Sequence, residues 1–238
     1  GPPPASPPPA PSEPSAPTPS AGGKGGAATG ILKDHLDASE GLSPAQWDHY
    51  HGAIDRATAK MPAAAHARIE QNLQGATFHA KSASIGDALY RDCAELSPDP
   101  QKFADLKGQK IGVGYCTSKG TLHIDGDLRP GAGEDKNPER FGVGKYAPAH
   151  EVYAHALGRV IDGPNYELSS SKEWGQAFAD EIAHNGAQYA THKLSRFASM
   201  SPEQGFAEFS RLVYGSKVPV KEVAERFPQA TAFFQKQG

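Results

Sequence analysis

His150-Glu151-Val152-Tyr153-Ala154-His155 decides how this chain is read. It falls in a helix expected from about Ala147 to Asp162. Pro148 suits the first turn of that helix, where a missing N–H costs nothing. Gly163-Pro164 ends it. Two histidines around a glutamate on one helix point to a zinc site with a built-in general base. The usual spacing is H-E-x-x-H, one turn between histidines; here one residue is added. At about 100° per residue, an i, i+4 pair lies about 40° apart and an i, i+5 pair about 140° apart. A single π-bulge between Glu151 and His155 would absorb the extra residue and return both rings to one face. The apolar stripe favours the bulge, since shifting the helix after Ala154 by one residue aligns Leu157, Val160 and Ile161 with Val152 and Tyr153. The competing reading is a surface helix with two solvated histidines.

Working outward, the 238 residues suffice for one domain with a real core, and a net charge of −3 implies no nucleic-acid partner. No apolar run reaches the length of a membrane span. Gly1-Pro2 reads as the scar of a removed tag, so the chain is expected to be a fragment of a longer protein. Residues 1–30 are Pro, Ala, Ser and Gly and cannot bury a core; they are expected to be a disordered linker. The domain then spans residues 31–238. A stiff tether before a compact domain fits a cargo or toxin domain on a larger delivered protein.

Residues 31–74 read as helices. Ser43-Pro44-Ala45-Gln46 supplies an N-cap, a first-turn proline and a capping-box glutamine, and Pro62 opens a second helix through Ile69 and Leu73. His49, His51 and His66 read as surface or capping residues. Ala76–Ala80 is a short strand and Ile85–Cys93 a helix. Lys110–Cys116 and Thr121–Asp125 form a hairpin through Ser118-Lys119-Gly120, placed as the sheet edge beside the His-Glu helix. His123 reads as structural. Residues 126–144 form a Gly-rich loop over a cleft. Cys93 and Cys116 could pair, but two cysteines establish no framework and they read as ordinary buried thiols. Further helices follow Ser171, with His184 and His192 flanking a connection. Another opens at Ser201-Pro202, and a last one runs near Pro228–Lys236 with Phe233 and Phe234 as anchors.

From about His150 onward the chain resembles the C-terminal zinc-peptidase domain of anthrax lethal factor and its relatives, the Pro-Pro endopeptidases among them. Phe197, Ala198, Ser201, Gln204, Phe206, Ala207 and Glu208, then Arg211 and Leu212, follow that family's downstream pattern, and Arg226-Phe227-Pro228 with Phe233-Phe234 resembles its closing helix. The resemblance implies an α+β, zincin-like metallopeptidase fold, mostly helical with a small sheet beside the active-site helix. It implies His150 and His155 as zinc ligands, Glu151 as base, Gln204 at the position of the third ligand and Phe197 at that of the transition-state tyrosine. Glu208 would orient a ligand histidine, and Glu203 or Glu208 could replace Gln204 as ligand. The dipeptidyl-peptidase III family also spaces its motif H-E-x-x-x-H, and residues Glu203 to Glu208 resemble its later glutamate stretch. Departures fall on the chemistry. An amide is a poor ligand for a hard dication, and a phenyl ring donates no hydrogen bond to an oxyanion. Gln204 also reads as the third residue of a capping box after Ser201.

Two functions follow as expectations. One is a secreted or injected bacterial effector, a zinc endopeptidase acting on a protein or peptide held by strand addition along Thr121–Asp125. The other is a pseudo-metallopeptidase, a binding or adaptor module that has lost the chemistry.

Overall fold

The computed structural model describes residue 1 and residues 36–38, 43–79, 83–95, 97–109, 112–125, 148–183, 194 and 198–237. The linker expected over residues 1–30, the loop expected over 126–144, His184, His192 and Phe197 lie outside the described residues.

The elements run β1 (Leu36–Ala38), α1 (Pro44–Thr58), α2 (Ala63–Asn72), β2 (Gly75–His79), α3 (Ala83–Glu95), a 3-10 turn (Pro100–Leu106), β3 (Val113–Cys116), β4 (Thr121–Asp125) and α4 (Ala149–Asp162). They continue with α5 (Lys172–Ala177) and a π-helical extension (Phe178–Ile182). α6 (Pro202–Ser210) has its own π-helical extension (Arg211–Gly215). α7 (Val220–Arg226) and α8 (Pro228–Lys236) close the chain. The capping signals act as expected at α1. The Ser43 hydroxyl accepts the Gln46 N–H, and the Gln46 side chain accepts the Ser43 N–H at 2.7 Å.

The four strands are ordered β1-β2-β4-β3. β1–β2 and β2–β4 pair in parallel, with Ala76 opposite Leu122, and β3–β4 pair antiparallel, with Cys116 opposite Thr121. Two expectations are corrected here. Residues 36–38 are strand rather than helix, because parallel pairing to β2 overrides local preference. Thr121–Asp125 is an interior strand, hydrogen-bonded on both sides, and so has no free edge for a substrate strand. The described edge on that side is β3, whose four residues are buried.

Strand alternation divides the sheet. Ala76, Phe78, Leu122, Ile124, Val113 and Tyr115 face the main core. There Phe78 stacks on Tyr50 with centroids 4.5 Å apart and approaches Tyr153 of α4. The other face, at Cys116, packs on Ile85, Leu89 and Cys93 of α3 and on Leu106, a smaller cluster.

Helix α4 is the axis of the main core. Every residue from Ala149 to Asp162 is buried except Glu151, which is partly so. Its C-terminal carbonyls are taken by α2: Arg68 donates to Ile161 and Asp162, and Asn72 to Val160. Gly163 leaves the helix at φ 85. No described helix is long and apolar enough to cross a membrane.

Candidate functional site

The site is built where α4 crosses α6 and its π extension. At Gly158 the two helices touch backbone to backbone, since a Cβ there would lie 2.6 Å from the Ser210 side chain and 3.1 Å from the Ala207 Cα. A second close approach falls at Gly215, where a Cβ would meet Ala154 Cβ at 2.9 Å and Glu151 Cα at 3.1 Å. These small-residue contacts seat α6 against α4 closely enough for their polar side chains to meet.

They meet in one continuous hydrogen-bonded chain. His155 Nδ1 lies 2.6 Å from Glu208 Oε1. Arg211 Nε donates to Glu208 Oε2 at 3.2 Å, and Arg211 Nη1 donates to Glu151 Oε1 at 2.8 Å. Arg211 Nη2 donates to the Leu194 carbonyl at 3.4 Å. His155, Glu208 and Arg211 are each no more than 2% exposed. Burial pushes the Glu151 carboxyl above its ordinary range, against the pull of Arg211. The network spends the second oxygen of Glu208 and one oxygen of Glu151 on a guanidinium.

The π-bulge expected in α4 is absent. Residues Ala149–Asp162 are α-helical throughout, so His150 and His155 diverge by about 140°. The widened turns occur instead at Phe178–Ile182 and Arg211–Gly215. The apolar stripe misleads here because α4 has almost no solvent face. A helix buried on nearly every side has no stripe whose phase can report a bulge.

His150 consequently faces elsewhere. Its ring hydrogen-bonds the backbone of Gly215, in the π extension. Burial, then the positive charges of Arg56, Lys217 and Lys60, draw it down to about 4, the Gly215 bond opposing. A neutral buried imidazole of this kind resists protonation in the fold but not in the unfolded chain. Its stabilising contribution is therefore complete above the unfolded value near 6.5 and is lost as pH falls from there toward 4. A His150→Gln variant is expected to show a flatter decline of Tm between pH 6.5 and 4.5 than the parent, by differential scanning calorimetry. Parallel curves would remove His150 as a source of acid lability.

The remaining candidates settle as follows. Gln204 is fully buried on α6, and its backbone N–H is capped by Ser201 Oγ at 3.2 Å. It lies one turn before Glu208 on the same helix face. Glu203 is only partly buried, in the first turn of α6. Among the described residues no group of three or more His, Cys, Asp or Glu side chains is placed to hold a metal ion. The donor set His150, His155 and Gln204 does not fit zinc. The two rings diverge, one of them sits among three cations, and the third donor is an uncharged amide.

The motif implied by the resemblance can also be counted in another register. Glu208 is the residue expected to orient a ligand histidine, and the histidine it holds is His155. Counted from His155 along a regular helix, H-E-x-x-H falls on His155-Ala156-Leu157-Gly158-Arg159. Ala156 then stands at the position of the base and Arg159 at that of the second histidine. The bulged stripe would put Arg159 on the polar side with Glu151, and an arginine gives no metal-binding signal. It is buried, with its guanidinium 5.8 Å from the centre of the Tyr166 ring.

No family model matches the chain, and no curated protein matches it. Among solved structures, the Pro-Pro endopeptidase PPEP-2 from Paenibacillus alvei is similar over 87% of this chain and 100% of that one, with a TM-score of 0.55 and 14% sequence identity. Likeness at that identity speaks for the fold alone, and the fold is the zincin-like metallopeptidase architecture, mostly helical with a small sheet beside α4.

Proposed function

We propose that this chain is a pseudo-metallopeptidase: a module on the zincin-like fold that acts by binding a protein or peptide partner, its hydrolytic centre replaced by buried ion pairs. The observation that carries the reading is the chain His155–Glu208–Arg211–Glu151. It lies at the crossing of α4 and α6, the helices that carry the expected ligands and base. A water-activating glutamate must be free to take a proton from water at a metal. Glu151 instead has its Oε1 tied to Arg211 at 2.8 Å, which holds the carboxylate away from that task even though burial raises its carboxyl. The Pro-, Ala-, Ser- and Gly-rich composition of residues 1–30 fits a tether ahead of such a module.

Elemental analysis of the purified protein, with a peptidase assay on Pro-Pro-containing peptides in added zinc, tests this. Substoichiometric zinc and uncleaved peptides are expected. One zinc per chain surviving dialysis, with cleavage that Glu151→Gln abolishes, would restore the zinc endopeptidase reading.

A further inference from the structure

The chain's only two cysteines come from α3 and from the end of β3, and they meet: Cys93 Sγ donates to Cys116 Sγ at 3.1 Å. That is about 1 Å longer than a disulfide bond. Both are free and buried in the small cluster on the far side of the sheet from α4. The two sulfurs are not equivalent. Cys116 Sγ lies 3.2 Å from Ser118 Oγ and receives backbone hydrogen bonds from Ser118 and Lys119 in the β3–β4 turn. Cys93 directs its S–H at Cys116.

We propose that Cys93 and Cys116 form a dithiol–disulfide couple that exchanges with low-molecular-weight disulfides, Cys116 attacking and Cys93 resolving. The hydrogen bond from Cys93 first, then those from Ser118 and the turn backbone, draw the Cys116 thiol down to about 6 against its burial. Donating that same bond, together with burial, holds Cys93 protonated. A thiolate near neutral pH is the attacking species in exchange. Cys116 thiolate attacks one sulfur of R–S–S–R, breaking that bond and releasing R–S⁻, which takes up a proton. Cys93 then loses its proton and attacks Cys116 Sγ in the mixed disulfide, expelling the second R–S⁻. One R–S–S–R and two protein thiols become one protein disulfide and two R–SH. Cys116 is 0% exposed, so the exchange requires the β3–β4 turn above it, where Ser118 is exposed and Lys119 partly so, to open. The bond would fasten α3 to β3, two elements already packed where Leu89 lies over Gly114.

The test incubates the folded protein with oxidised glutathione and reads intact mass and free thiols. The expected product has lost two hydrogens, has no titratable thiol, and melts roughly 10 °C higher than the reduced protein. Cys93→Ser should stop at a glutathione adduct on Cys116, whereas Cys116→Ser should stay unmodified. Should either variant fold poorly, alkylation of the parent with iodoacetamide across pH replaces it, with an inflection expected well below the ordinary thiol value near 8.5 on Cys116. A stable adduct on the parent, two thiols untouched after prolonged incubation, or equal reactivity of both sulfurs would overturn the proposal.

Discussion

Arg211→Met is expected to cost about 3–5 kcal/mol of unfolding free energy at neutral pH, the range for breaking a buried ion pair from one side. Arg211 is 1% exposed and is the cation shared by Glu208 and Glu151. Methionine keeps the packing of the stem but leaves two carboxylates near each other without a counter-charge. The loss comes less from forfeited attraction than from stranding those charges. Two controls follow. Adding Glu151→Gln and Glu208→Gln to Arg211→Met should recover much of the loss, because amides carry no charge to strand. Lowering the pH should narrow the gap between Arg211→Met and the parent, because protonation neutralises the same carboxylates. Urea denaturation followed by circular dichroism gives all three numbers. A cost under about 1 kcal/mol would mean that water reaches these groups as it reaches an exposed pair, and the network would then be incidental to the fold.

The helices were legible wherever the chain carries its own punctuation. Ser43 with Gln46, Ser201 with Pro202, and Gly163-Pro164 mark ends that form by local hydrogen bonds and φ preferences, and each lies where its residues place it. The missed helical elements open at Pro100 and just after Pro219 but have no side-chain cap. β1 is three residues long and exists through its pairing with β2. The 3-10 turn at Pro100–Leu106 and the short α7 before Phe227 are likewise held by what they pack against. The hairpin was legible, and so was its place at one side of the sheet, but not that β3 rather than β4 is outermost, because a strand's own residues do not say which neighbours it will have. At the site, residue identities were legible and their grouping was not. His150, Glu151, His155, Gln204 and Glu208 were all singled out. Only the crossing at Gly158 and the π turn ending at Gly215 reveal that His155 belongs with Glu208 and that His150 belongs with Gly215. A period-based argument could not see this, because α4 has no solvent face.

The second large effect is the return of a metal. A protein carrying Arg159→His and Gln204→Glu is expected to bind one zinc per chain at least on the order of a hundredfold tighter than the parent. In a regular helix His155 and a histidine at 159 lie one turn apart on the same face, the separation a shared metal needs. Glu208 already holds His155 through Nδ1, which leaves Nε2 as the metal-binding nitrogen and fixes the ring. Gln204→Glu puts a charged oxygen one turn from Glu208 on the facing helix. Gln204→Glu alone should change zinc affinity little, because the second imidazole is still missing. That outcome differs from what a motif centred on His150 and His155 demands, where this single substitution strengthens an existing site. The decisive comparison uses histidine deletions in the doubly substituted background. His155→Ala should abolish zinc binding and His150→Ala should leave it unchanged, as read by calorimetric titration. Binding that survives loss of His155 but not of His150 would return the motif to its first register. Binding that survives neither deletion would mean that the two rings reach one metal after all, and the helix would then have to open the π turn that it does not show.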